Sequence, residues 1–166
     1  IKFGLDNSKK KINILATSIS NKSILLNELN NLEKKFPYVN IYGADQNSKI
    51  IGKYLVKNFF NFQNFQLLNK NKIFNLLRKK NINIVIPTSD LELDFWSKIK
   101  GFLSKKGIFV AVSNNSAIRI CGDKYKFFKH CIKLNLKTPI LHSKIKKSKN
   151  KIFIKKRFSA DKNKAQ

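Results

Sequence analysis

Ile84-Val85-Ile86-Pro87-Thr88-Ser89-Asp90-Leu91-Glu92-Leu93-Asp94 carries an apolar run directly into a group of three carboxylates. The apolar part reads as a buried strand, and the polar part as its exit into a loop or helix. The chain of 166 residues has only nine acidic side chains against thirty-five Lys and Arg, and three of the nine stand at this exit. Strands covered on both faces belong to parallel sheets, and open sheets of that kind bind ligands outside the carboxyl ends of their strands. Thr88, Ser89 and Asp90 are therefore the candidate rim of a cleft.

Outward from this stretch, strands and helices alternate. Upstream, a polar lead over residues 1–10 gives way to Lys11–Thr17, which reads as a first strand. Ser18–Ser23 is a hydroxyl-rich loop, and Leu25, Leu29, Leu32 and Phe36 then recur at helical spacing until Pro37 ends the helix. Val39–Tyr42 is a second strand closed by Gly43-Ala44-Asp45, and Ile50, Ile51, Tyr54 and Leu55 suggest a short helix. The Asn- and Phe-rich stretch from Phe59 to Leu68 leaves room for a short third strand. Ile73, Leu76 and Leu77 mark a further helix with Arg78, Lys79 and Lys80 in its last turn and Asn81 as its cap.

Downstream, Leu91, Phe95, Ile99, Phe102 and Leu103 form a helical stripe ended by Gly107. Ile108–Val112 is another strand, and a helix starting near Asp123 carries Tyr125, Phe127, Phe128 and Ile132. Connections this long exclude hairpins and call for a parallel sheet with helices on both faces. Past Pro139 the texture changes: Ser143–Lys151 is a Lys/Ser/Asn linker, followed by one isolated strand-like run, Ile152–Lys155.

Composition limits the function classes. No apolar run approaches the ~18–20 residues needed to cross a bilayer, and the N-terminus lacks the pattern of a signal peptide, so a cytoplasmic location is expected. Cys121 and Cys131 stand ten apart with no CxxC pattern and are expected to be reduced thiols rather than metal ligands. The formal charge of +26 invites a nucleic-acid partner. Yet the cations are almost all Lys, with only Arg78, Arg119 and Arg157 to supply a planar fork. Lys, Asn, Ile and Phe all have A/T-rich codons, so base composition accounts for much of the excess.

The loop Thr17-Ser18-Ile19-Ser20-Asn21-Lys22-Ser23 contains no glycine, so the close backbone approach a dinucleotide pyrophosphate requires is not provided. Asp45, at the place of a ribose-binding acid, does not by itself indicate a dehydrogenase. Ser89-x-x-Glu92 fits a capping box, Asp90 complements the helix dipole, and Asp94 reads as a solvent-facing or locally paired acid. No His stands near these carboxylates, and no metal site is assigned.

Gly122-Asp123-Lys124-x-x-x-Phe128, followed by Asn135-Leu136-Lys137-Thr138-Pro139, resembles the segment that joins the N-terminal domain to the ATP-grasp domain in biotin carboxylases and carbamoyl-phosphate synthase-like ligases. The Pro87-Thr88-Ser89-Asp90-x-Glu92-Leu93 element and Gly43-Ala44-Asp45 are similar to the carbamoyl-phosphate synthase-like branch. Ile152-Phe153-Ile154-Lys155-Lys156-Arg157-Phe158 resembles the strand that carries that family's second nucleotide-binding lysine. The likeness runs from about Lys11 to Phe158.

The resemblance implies a Rossmann-like pre-ATP-grasp domain over residues 11–139, with residues 140–166 forming a linker and the first strand of an ATP-grasp domain. Lys124 and Lys155 would contact nucleotide phosphates. Thr17, Ser18, Ser20, Thr88, Ser89 and Asp90 would form the substrate-side rim. The implied chemistry is ATP-dependent activation of a carboxylate through an acylphosphate, with ATP and Mg as cofactors of the complete enzyme and a small carboxylate as substrate. The chain departs from the pattern at Lys156, where the family has Pro, and at Ser159–Asn163, which lacks the glycine-rich loop. It also stops before the Mg ligands. As it stands it is expected to be a fragment or a degenerate product, inactive alone and without catalytic residues of its own. Two other readings stay open: a basic Rossmann-like module that binds RNA or another polyanion, and a small-molecule sensor. A homo-oligomer is compatible with all three.

Overall fold

The computed structural model describes residues 11–62, 65–140 and 156–158. The chain divides into two compact units, Ile1–Val112 and Ser113–Gln166. In the first, β1 (Ile12–Thr17) leads through α1 (Ser23–Lys35) to β2 (Val39–Asp45) and β3 (Asn58–Asn61). Next come α2 (Lys70–Lys79), β4 (Ile82–Pro87), α3 (Asp90–Ser104) and β5 (Phe109–Val110). The strands form one sheet in the order β3-β2-β1-β4-β5, and every pair is parallel.

This is an α/β, Rossmann-like open sheet, as the alternation of elements predicts. Winding proceeds outward from β1 through β2 to β3, then returns past β1 to start β4 on the opposite side. The paired ends Thr17 and Pro87 flank that reversal, where sheets of this topology open a crevice.

The period of two along β1 sorts its side chains between two cores. Ile14 and Ala16 pack on one face with Leu26 and Leu29 of α1 and Val39 and Ile41 of β2. Leu15 packs on the other with Ile73 and Leu77 of α2, Trp96 and Leu103 of α3, and Val85 of β4. Helices therefore cover both faces, and the apolar run of β4 is explained by this double burial.

Several elements differ from the sequence-based expectation. β2 continues through Gly43-Ala44-Asp45 rather than closing there. The expected helix around Tyr54 is a 3-10 turn, Ile51–Leu55. The strand expected over Ile108–Val112 is ladder-paired only at Phe109–Val110.

The second unit opens with α4 (Asn115–Cys121), which the pattern of residues does not predict, followed by α5 (Lys124–Lys133). Asp123 caps α5 and forms an isolated antiparallel bridge with Phe158. Cys121 and Cys131 are both free thiols. The expected strand Ile152–Lys155 lies outside the described residues.

Candidate functional site

The ends of β1 and β4 are stitched together by side chains that come from opposite ends of the unit's sequence. Thr88 Oγ1 lies 2.7 Å from the Thr17 carbonyl oxygen and 2.9 Å from that of Ser18, so its single proton serves both. The Thr17 hydroxyl donates in turn to Glu92 Oε2 at 2.8 Å. Glu92 is only 1% exposed. Its Oε2 also accepts from Trp96 Nε1 at 3.0 Å, while Oε1 accepts from the backbone N–H groups of Thr88 (3.2 Å) and Ser89 (3.3 Å).

Glu92 does close the capping box, with Ser89 Oγ accepting from Leu91 N–H at 3.4 Å. The cap is the smaller part of its role. A carboxylate placed at the third position of α3 faces back over the helix start, and here that direction leads under the switch point. Glu92 thus joins β1, β4 and α3 through four donors, all of them neutral.

The loop after β1 is held just as firmly. Ser18 adopts a left-handed backbone, φ 55°, which turns the chain so that Ile19 points inward and is fully buried. A methyl at Gly43 would stand 2.6 Å from Ile19 Cδ1, so glycine there makes room for that side chain. Ser20 gives both its N–H (3.0 Å) and its hydroxyl (2.9 Å) to Asp45 Oδ2, and Asp45 Oδ1 accepts from Asn47 N–H at 3.0 Å. Asp45, at the position of a ribose-binding acid, is thus committed to holding the β1 loop. Neither Asp45 nor Glu92 pairs with a cation among the described residues, in a chain with thirty-five of them.

The rim residues predicted from sequence come together at this edge, with unequal freedom. Thr17 is buried, its hydroxyl committed to Glu92. The hydroxyls of Thr88 and Ser20 are committed to the β1 carbonyls and to Asp45. Ser18, Ser89 and Asp90 occupy the outer edge, and the Asp90 carboxylate is exposed at the start of α3. Asp94 is drawn off to an ion pair with Lys98 at 2.6 Å. The arrangement is a rigid, neutral-donor shelf with a few outward hydroxyls and one outward carboxylate, suited to positioning a polar ligand. Among the described residues no group of three or more His, Cys, Asp or Glu side chains could hold a metal ion. No helix among them is long and apolar enough to cross a membrane.

In the second unit, Lys124 is exposed on the first residue of α5. Lys155 lies outside the described residues. Beside Lys124, Arg157 grips Asp123 with two parallel bonds, Nε to Oδ1 at 2.9 Å and Nη2 to Oδ2 at 2.8 Å. Asp123 Oδ1 also accepts from Tyr125 N–H (3.0 Å) and Lys126 N–H (3.2 Å).

The hydrogen-bonded Arg157 guanidinium holds the Asp123 carboxyl well below the usual carboxylate range, against desolvation and with help from those two N–H groups. A depressed folded value means the stabilisation is complete above the unfolded value of ~3.9 and is lost only as pH falls through the folded one. Side-chain carboxyl NMR on acidification should therefore show Asp123 still ionised at about pH 3, below its ordinary value. A midpoint for Asp123 near 4 would contradict the pairing.

No protein-family model matches the sequence, and neither does any curated protein. Solved structures do match. The biotin carboxylase domain of a thermophilic 2-oxoglutarate carboxylase superposes with a TM-score of 0.53 at 13% identity, covering 76% of this chain and 28% of that one. The complete pyruvate carboxylase from Rhizobium etli gives 0.53 at 11% identity over 75% of this chain and 13% of its own. N5-carboxyaminoimidazole synthetase from Staphylococcus aureus, complexed with ADP, gives 0.50 at 12% identity over 75% and 31%. The chain spans under a third of the length of each. At these identities the likeness is one of fold, and that fold is found in the biotin carboxylases named by the sequence resemblance.

Proposed function

We propose that this chain forms the substrate- and nucleotide-cleft portion of a carbamoyl-phosphate synthase-like ATP-grasp ligase, acting in the cytoplasm. The shelf at the ends of β1 and β4 would position a small carboxylate through Ser18, Ser89 and the N-terminal edge of α3. Lys124, with Lys155, would take the phosphates of ATP, where a point cation on a flexible stem follows charge as it moves in phosphoryl transfer. The ATP-grasp portion would begin after Pro139. One observation carries the reading. A sheet of order β3-β2-β1-β4-β5 is followed in the chain by a helix opened by Asp123-Lys124, and about three-quarters of the chain superposes on biotin carboxylases.

Calorimetric titration of the chain with MgATP tests it. Binding is expected, and Lys124→Gln should weaken it about tenfold, the worth of one charged hydrogen bond. No detectable ATP binding would sink the ligase reading.

A polyanion-binding module is favoured by a different observation. Residues 113–166 carry sixteen of the thirty-five cations and only two of the nine acids. That reading expects RNA binding with a steep salt dependence and no preference for ATP.

A further inference from the structure

Arg157 stands in the run Ile152–Phe158, where the family resemblance gives a role to Lys155 alone, yet it is the most constrained cation described in the second unit. Its Nε and Nη2 are spent on Asp123, and the backbone N–H of Lys124 donates to the Arg157 carbonyl at 3.1 Å. The guanidinium also lies over the rings of Tyr125 and Phe158, 5.3 Å from each centroid. Two hydrogen bonds hold one edge of the fork and two rings lie against it, while the side chain as a whole remains 53% exposed. Nη1 donates to nothing among the described residues.

Asp123 is the sole carboxylate among the described residues of this unit. It stands beside Lys124, where an incoming phosphate would be repelled by an uncancelled negative charge. Arg157 cancels that charge and still has an amino group to offer, because five donors in a plane allow one edge to bind a carboxylate and another to bind an oxyanion.

We propose that Arg157 is a phosphate-binding residue of the nucleotide site, oriented by Asp123 so that Nη1 donates to the same polyphosphate that Lys124 takes. This rests on the nucleotide reading above and extends it to a residue to which the resemblance assigns no role.

The test is titration of the full chain with MgATP, and in parallel with inorganic tripolyphosphate, at about 0.3 M salt to suppress diffuse attraction to the other lysines. Four proteins are compared: the parent, Arg157→Lys, Arg157→Gln, and Asp123→Asn combined with Arg157→Gln. Asn is as good a helix N-cap as Asp, so α5 keeps its cap in the double variant, and circular dichroism confirms folding. Arg157→Lys keeps the net charge but cannot grip Asp123 and reach the anion together. Both it and Arg157→Gln are expected to lose about tenfold in affinity for both probes.

The double variant separates contact from charge cancellation. If Arg157 touches the phosphate, the double variant stays weak. Parent-like affinity in the double variant overturns the proposal, as does parent-like affinity in Arg157→Lys. A parent that binds tripolyphosphate but shows no preference for ATP refutes the nucleotide reading while the Arg157 comparison still stands. A parent that binds neither refutes both.

Discussion

Glu92→Ala is expected to destabilise the first unit by about 4 kcal/mol, within the range for breaking a buried charged network. The substitution strands the Thr17 hydroxyl, the Trp96 indole N–H and two backbone N–H groups, all of which converge on a side chain that is 1% exposed. It also leaves a cavity against the ring of Trp96, which is itself fully buried. Glu92→Gln keeps the volume but turns an amide N–H₂ towards donors on one side, so an intermediate loss of about 2 kcal/mol is expected. Urea denaturation checks both, through a lower midpoint at constant slope. A loss under about 1 kcal/mol for Glu92→Ala, the level of an ordinary helix cap, would mean that Glu92 does no more than cap α3.

Gly52→Ala carries the second large effect. A methyl there meets the carbonyl oxygen of Ile19 well inside van der Waals contact, and the Ile19 carbonyl carbon at 3.1 Å. These are backbone atoms of the β1 loop, already fixed by Ser20 and Asp45, so they cannot step aside without breaking that tie. The cost should be about 2–3 kcal/mol, as for overpacking of a tight core, and about 8 °C in Tm on the usual scaling for this size. Gly43→Ala also crowds Ile19, but at the Cδ1 tip of its side chain, which can rotate, and so should cost less. Thermal melting ranks the two, and amide shifts at Ser20 report whether the loop has moved. Equal melting temperatures for Gly52→Ala and the parent would contradict the close approach.

Where the structure departs from the sequence reading, the cause is mostly distance along the chain. The strands at residues 12–17 and 82–87 and the helix over 90–104 are legible because period and capping are local properties. Gly43-Ala44 reads as a terminator, but β2 continues through it because the small side chains admit Ile19 and Val56 from neighbouring segments. α4 is hidden because Ser113-Asn114-Asn115-Ser116 has the composition of a loop, while Asn114 in fact stands at the N-cap position. The edge holding Thr17, Ser18, Ser20, Thr88, Ser89 and Asp90 is readable as a place. The work of its members is not: Thr17 and Glu92 are 75 residues apart, and only the strand order brings them into contact. Asp45 likewise stands at the end of β2, where a ribose-binding acid would, and only the fold shows it committed to Ser20.

Three helices end in a left-handed residue, and the residue used is glycine in only one of them. Gly107 follows α3 with φ 80°, whereas Asn81 follows α2 at 51° and Asn135 follows α5 at 55°. Asn135 completes both bonds of the usual closing motif, its own N–H to Ile132 O at 2.9 Å and Leu136 N–H to Cys131 O at 3.0 Å. Asparagine tolerates this conformation but retains a Cβ penalty that glycine lacks. With only six glycines in 166 residues, Asn81 and Asn135 carry small strains at the helix ends where glycine would carry none. Such a protein has slack that can be recovered: its helix ends can be changed one at a time for modest gains in stability without disturbing the shelf on which its ligand would rest.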